Sequence, residues 1–372
     1  MLSVKAFRPT SPGDAAILRE RGLDDVPASF PSWRDLAVLV RRPRLTVALV
    51  ALLVRTCRRR SNIMLRSLLL LPRAVAIADE IAREKPDVVH AFWGHYPAMA
   101  LIACRLVCGA QRPVITTSLI AYDLEMRYPP GLFVARRIAD HVFTHAGVNV
   151  PVLIRQGVPS SRLSVIRAGV EPGWISDRDD PATGPLRLVA VGRVITAKGH
   201  FDAVASFSTF LAKTGADASL GILGDGPEMP LLRSIVAASG VAERITLTGH
   251  VPHGEVRTQL MRAQVFLLLS WYAGERLPNA VKEAMACGCV CIVADSPGMS
   301  ELVVDGVTGW IVPPRDPAAA ADRLGRLWND QTLFRWMSAA ARQCIAEHFN
   351  ADCQQAAYAA VWRECALLRR EF

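Results

Sequence analysis

The segment Ser270–Gly288 reads SWYAGERLPNAVKEAMACG and follows the apolar run Val265–Leu269. A short aliphatic run of this kind reads as a buried strand, and the small-residue stretch Ala280–Ala286 reads as a helix. Pro278 suits a first helical turn, where its missing N–H costs nothing. Glu275 then lies in the loop before the helix, and Glu283 about one turn inside it. The helix start offers free N–H groups and the positive end of a dipole, which together suit a diphosphate. Carboxylates beside an anion site need a different use. Acceptor-only oxygens fit the hydroxyls of a sugar and a ribose.

The same alternation extends outward in both directions. Leu186–Val191, Ser219–Leu223, Arg244–Leu247, Val265–Leu269 and Val290–Ala294 read as strands. Phe201–Thr214, Met229–Ser239, Glu255–Ala263 and Ala280–Ala286 read as the helices between or after them. The first half repeats the pattern with strands Asp87–Phe92, Pro113–Ser118, His141–Thr144 and Leu163–Ile166. Its helices are Ala74–Lys85, Tyr96–Val107, Arg136–Ala139 and Val150–Gln156. β-Branched strands buried on both faces argue parallel sheets covered by helices on both sides. Between the two series lies Ser176–Pro185, SDRDDPATGP, whose acids, prolines and glycine mark a linker. The expected organisation is an N-terminal domain over residues 1–170, a linker over 171–185 and a C-terminal domain over 186–350. A closing segment, 351–372, carries the helix Ala351–Arg370. Two Rossmann-like doubly wound domains joined by a hinge would face each other across a cleft.

Two further motifs sit at strand ends of the second series. Leu188–Gly199 reads LVAVGRVITAKG: a buried strand ends in Gly192, and Arg193 and Lys198 follow in the loop. Two cations at the carboxyl edge of a sheet match a diphosphate. Gly221–Pro227, GILGDGP, is a Gly-rich turn after a strand, although its spacing is not that of the dinucleotide fingerprint. Asp177-Arg178-Asp179 imitates a metal-binding Asp-x-Asp, but it lies in the linker with no strand before it and reads as solvated hinge. No metal site is expected.

The segment Ser270–Gly288 resembles the signature of retaining GT-B glycosyltransferases of family four, in which a Glu, seven residues and a second Glu precede a small-residue helix. EAMACG and the later SPGMSELVVDGVTGWIVPPRDP match the way that family continues. LPN after the first Glu is similar to the subgroup that makes bacterial exopolysaccharides of the colanic acid kind. The resemblance implies that Glu275 holds sugar hydroxyls, Glu283 holds the ribose diol, and the backbone N–H groups near Leu277 and Asn279 face the phosphates. It implies a diphosphate role for Gly192, Arg193 and Lys198, a donor-side position for Gly224 and Asp225, and a base-side position for the loop Gly249–Gly254. Glu275, Arg193 and Lys198 are then the catalytic set. The donor is a UDP- or GDP-linked sugar and is a substrate; no cofactor is implied. The acceptor is a saccharide or a lipid-linked sugar.

The first half resembles the family less closely. His90, in VVHAFWGHYP, matches the first His of the family's His-Ala-His run, and Phe92 stands at the second. His90 reads equally as a core histidine and as an acceptor-side residue; His95 and Asp123 are the other acceptor-side candidates. In TTSLIAYD, Ile120 occupies the position three before Asp123 where the family usually has a sugar-binding His. Leu2–Phe7 resembles the family's second strand, which implies a first sheet without the usual first one. The closing helix is expected to cross back to the N-terminal domain. A non-catalytic nucleotide-sugar-binding subunit of a polysaccharide assembly complex is the alternative reading, motivated by Ile120 and the short first sheet.

Charge separates the halves. Residues 1–170 hold 24 Lys+Arg against 12 Asp+Glu, and the remainder holds 19 against 22. The cationic half points to an anionic partner, and Leu36–Arg60, LAVLVRRPRLTVALVALLVRTCRRR, reads either as a core helix or as one lying in a membrane interface. Nucleic acid is not expected, because neither aromatic interleaving nor a helix-turn-helix accompanies the charge. The runs Leu45–Val54 and Leu68–Leu71 fall short of a membrane span, and Met1–Pro12 lacks the apolar core of a secretory signal. Nine Cys without paired spacing read as reduced thiols. The expected location is the cytoplasm, with a peripheral place on the inner face of the plasma membrane.

Overall fold

The computed structural model describes residues 33–175, 184–272 and 274–370. Leu2–Phe7 and Asp177-Arg178-Asp179 lie outside them. The chain forms two units: one from the described residues up to Ile166 together with those from Ala356 onward, the other Arg167–Gln355.

The first unit opens with a helical layer. α1 (Trp33–Arg41) and α2 (Pro43–Cys57) are separate helices, because Pro43 starts a new first turn where its lack of an N–H is harmless. α3 (Ser61–Glu84) follows and ends in a left-handed Lys85. By length and composition this helix could cross a membrane, which the sequence reading did not anticipate because its apolar residues are interrupted by Arg66, Pro72 and Arg73. Here Leu71, Val75, Ala78 and Ile81 on one side of α3 join Leu49 and Leu53 of α2 in the core of the unit.

Beyond the layer, β1 (Val88–Ala91), α4 (Pro97–Cys108), β2 (Val114–Ser118), α5 (Ala121–Met126), α6 (Pro129–Arg137), β3 (His141–Thr144), α7 (Val150–Arg155) and β4 (Leu163–Val165) alternate. The four strands pair in parallel in the order β1-β2-β3-β4. Phe143, Ile166 and Tyr358 form a smaller cluster with Val361 and Trp362, so the far part of the last helix, α14 (Ala351–Arg370), belongs to this unit.

The second unit carries β5 (Leu186–Val191), α8 (His200–Thr214), β6 (Ala218–Leu223), α9 (Met229–Ala238), β7 (Ile245–Gly249) and α10 (His253–Arg262). Then come β8 (Val265–Leu268), α11 (Asn279–Ala286), β9 (Val290–Ala294), β10 (Gly309–Val312), α12 (Pro317–Asn329) and α13 (Gln331–His348). The parallel six-stranded sheet runs β10-β9-β8-β5-β6-β7. Every residue of β8 and β9 is buried, as both faces are covered. The chain builds β5, β6 and β7 outward in one direction, then returns to place β8 on the other side of β5. In open parallel sheets ligands bind outside the carboxyl ends of the strands at such a reversal. The loops that leave β5 and β8 are the two that carry Arg193, Lys198 and Glu275.

Candidate active site

At the carboxyl edge of the second sheet three loops pack backbone against backbone. Gly192 donates its N–H to the Leu223 carbonyl at 3.0 Å, and Val194 donates to Asp225 O at 3.0 Å. A Cβ on Gly224 would sit 1.9 Å from Gly192 O, and one on Gly199 would sit 2.1 Å from Leu269 O. Gly199 also has φ +74, in the region side chains avoid. Glycine at 199 and 224 is therefore what lets the loops after β5, β6 and β8 touch.

This closure brings the residues of the first motif onto those of the second. Lys198 Nζ donates to Glu275 Oε2 at 2.5 Å, and Ser270 Oγ donates to the same oxygen at 2.9 Å. Ser270 Oγ also lies 3.0 Å from Ala197 O, and Trp271 N–H donates to that carbonyl at 3.0 Å. Glu275 is buried, so its charge is held by a cation and a hydroxyl rather than by water. Arg193 is exposed at the same strand end. Behind these loops His200 is buried against the backbone of Gly192 and Arg193, and burial holds its ring below the usual histidine range.

Helix α11 starts at Asn279, one residue before the range Ala280–Ala286 read from the sequence, and Pro278 is the extended residue ahead of it (φ −61, ψ 134). Leu277 is buried with φ +50, a conformation costly for a branched side chain and typical of ligand-facing turns. The N–H groups of Leu277 and Asn279 make no hydrogen bond among the described residues. Glu283, one turn on, approaches His253 Nε2 at 3.2 Å, and the Trp174 ring lies 4.8 Å from that imidazole. Lys282, its neighbour, points elsewhere: fully buried, it donates to Ala168 O at 2.7 Å, and burial pulls it down to about 8.

Of the expected donor-side residues, Gly192, Lys198, Gly224 and Glu275 converge directly. Asp225 is exposed on the adjoining loop and accepts the Gly226 N–H at 2.7 Å. Glu283 belongs to a separate group with His253 and Trp174. Sequence reasoning missed Ser270, Trp174 and Arg315, whose guanidinium lies 4.0 Å from the centre of the Trp271 ring; His253 falls in the loop Gly249–Gly254 given a base-side position. Ser270 stood inside the quoted segment; Trp174 and Arg315 are distant in sequence and carry no local signal.

On the first unit, His90 Nδ1 lies 2.9 Å from Thr116 Oγ1 and Nε2 3.1 Å from Ser118 Oγ. Phe92, Phe143, Tyr358 and Trp362 surround the ring, and burial, aided by His145, takes it down to about 4. With both nitrogens occupied under α14, the first of its two readings, a core histidine, describes His90. Asp123 is buried and caps the Ile120 N–H at 3.0 Å. His95 is half-buried at the sheet edge, and its Nδ1 accepts the Tyr96 N–H at 2.8 Å.

Two parallel α/β units, the second with cations, carboxylates and an open helix start at its strand reversal, define a sugar-nucleotide transferase of the GT-B class. The fold is shared with solved glycosyltransferases. Anabaena Alr3699/HepE in complex with UDP superposes with a TM-score of 0.67 at 16% identity, covering 79% of this chain and 82% of that one. Sucrose-phosphate synthase from Thermosynechococcus elongatus gives 0.66 at 18% identity over 80% of this chain and 78% of its own. The chain belongs to the group 1 glycosyltransferase family, whose model matches residues 175–344. It is 30% identical over 287 residues to the putative colanic acid biosynthesis glycosyltransferase WcaL of Salmonella typhimurium, across 74% of this chain and 70% of that protein. The amylovoran biosynthesis glycosyltransferase AmsK of Erwinia amylovora is 31% identical over 203 residues, 53% of this chain and 50% of AmsK.

Proposed function

We propose that this glycosyltransferase moves a sugar with retention from a nucleoside-diphosphate donor to a saccharide or lipid-linked acceptor in exopolysaccharide biosynthesis. The observation that carries the reading is the meeting of Lys198, Glu275 and Ser270 beside the open start of α11. The diphosphate lies against the N–H groups of Leu277 and Asn279, with Arg193 and Lys198 countering the charge that grows on it. Its phosphates draw on Lys198, which frees Glu275 to accept from sugar hydroxyls, while Glu283 takes the ribose diol. The bond from the anomeric carbon to the phosphate oxygen breaks as the acceptor oxygen bonds to that carbon from the same face. The acceptor's proton passes to the departing phosphate oxygen. Positive charge from Arg193 and Lys198 serves where other transferases use a metal, and no cofactor is required. The HepE complexes with UDP and UDP-glucose support a uridine donor. Lys198→Ala and Glu283→Ala should each abolish hydrolysis and transfer of the donor; unchanged rates in either would remove this mechanism.

A peripheral place on the inner face of the plasma membrane is supported by the helical layer of the first unit. Residues 36–78 contain nine Arg and no Asp, Glu or Lys. Among them Val40 is 81% and Val47 67% exposed, and Val54, Leu65 and Leu69 are exposed as well. Exposed aliphatic side chains in an Arg-rich segment fit an anionic lipid surface, although Arg42 is already paired with Asp79 at 2.8 Å. The protein should sediment with phosphatidylglycerol vesicles, less so in high salt, and Val47→Asp with Leu65→Asp should release it. Absence of sedimentation, or binding indifferent to salt, contradicts this placement.

A further inference from the structure

The carboxyl edge of the first sheet carries aromatic rings that neither the core nor the donor site uses. Trp93 follows β1 and is 42% exposed; Tyr122 follows β2 and is 50% exposed. Their ring centres are 6.5 Å apart at 85°, and His95 lies 5.3 Å from Trp93 and 6.1 Å from Tyr122. Large amphipathic rings grouped and half open to water mark a contact surface rather than a packing remainder.

The surface is also held rigidly. A Cβ on Gly94 would meet Leu119 Cδ2 at 1.9 Å, and one on Gly131 would meet Gly94 O at 1.6 Å, so the turn after Trp93 is wedged between its neighbours. The buried Asp123 carboxylate accepts the Ile120 backbone N–H at 3.0 Å, and its carboxyl carbon would lie 3.5 Å from a Cβ on Gly94, so both ring-bearing turns pack on it. His95 Nδ1 is an acceptor for the Tyr96 N–H, which leaves the proton on Nε2, and Nε2 makes no hydrogen bond among the described residues.

Charge narrows the ligand. The segments 88–104 and 113–126, which bear the rings, contain Asp123 and Glu125 and no Lys or Arg. Arg127 follows the far end of α5, where Arg60 donates to the Met126 and Arg127 carbonyls. Phosphates, nucleotides and anionic lipids find no counter-charge on this platform. A neutral ring with an apolar C–H face and a rim of hydroxyls fits it: the two perpendicular rings make a corner, so the C–H face lies on one ring and the sugar's edge against the other, with a hydroxyl on His95 Nε2–H.

We propose that Trp93 and Tyr122 form a stacking platform for a neutral pyranose ring of the acceptor, with His95 hydrogen-bonded to its hydroxyl rim. The acceptor end bound here is then a saccharide, whatever lies farther along it. This rests on the glycosyltransferase reading and adds the acceptor class to it. The test is binding of the fluorescently labelled full chain to an array of neutral oligosaccharides. Wild type should bind at least one of them. Trp93→Ala and Tyr122→Ala should weaken that binding about tenfold or more, while Trp93→Phe keeps it within about threefold. Thermal stability and the shift induced by UDP should be unchanged in all three. Binding of no oligosaccharide by wild type, or equal binding by the alanine variants, overturns the platform. Failure of the donor reading looks different: UDP and UDP-glucose then give no thermal shift while oligosaccharide binding persists.

Discussion

Replacing Lys198 with Met tests the core of the donor site through stability alone. The pair is 2.5 Å apart, with Lys198 21% and Glu275 10% exposed. Removing one partner of a fully buried pair costs about 3–5 kcal/mol, mostly by leaving the other charge stranded. Glu275 retains the Ser270 hydroxyl, and the exposed fifth of Lys198 lets water soften the loss, so about 2 kcal/mol is expected for Lys198→Met. In a domain of this size that lowers the melting temperature of the second unit by about 4–8 °C. Glu275→Gln, which keeps an oxygen facing the ammonium, should cost about 1 kcal/mol. The double variant should cost less than the sum, because each change removes the reason the other hurts. A coupling of about 1 kcal/mol or more is expected from urea denaturation, with the second unit's transition fitted separately. Additivity within about 0.5 kcal/mol would refute the claim that these side chains share one charge balance.

Gly224→Ala should destabilise the second unit by roughly 2–3 kcal/mol and weaken UDP binding in calorimetry, since its methyl group would collide with Gly192 O. Lys282, lowered by burial to about 8 from an ordinary 10.5, binds its proton more weakly folded than unfolded. Its charge therefore opposes folding below pH 8, and stability should rise between about pH 8 and 10.5; in Lys282→Met that rise should vanish from melting curves. His90, taken down to about 4 from 6.5, is protonated more readily in the unfolded chain. The first unit should lose stability as pH falls from 6.5 towards 4, with a shallower slope in His90→Gln.

The alternating architecture was legible because strands such as Val265–Leu269 and Val290–Ala294 are continuous apolar runs, the mark of strands covered on both faces. Lys198 and Glu275 stood out because both fall in short loops just after strands, whereas Gly224 entered only through the family resemblance. β10 and helices α12 and α13 escaped notice: Gly309–Val312 is too short to show a period, and the helices carry no site motif. The order β8 beside β5 is a non-local fact, and with it the contact between Lys198 and Glu275. His90 stayed open between two readings because its motif sits at a strand end like a site residue, whereas a helix more than 250 residues downstream covers it.

That covering helix bears on how the protein is made. Tyr358 and Trp362 complete the cluster around Phe143 and Ile166, and Arg369 reaches the Ala110 and Pro113 carbonyls. A ribosome working from the N-terminus has released the whole of the second unit before it supplies these residues. The half synthesised first is thus finished last, waiting with Phe143 and His90 uncovered while the later half folds. During that interval the nascent chain presents an unfinished apolar sheet, and a holdase that shields it would shorten the odds against aggregation.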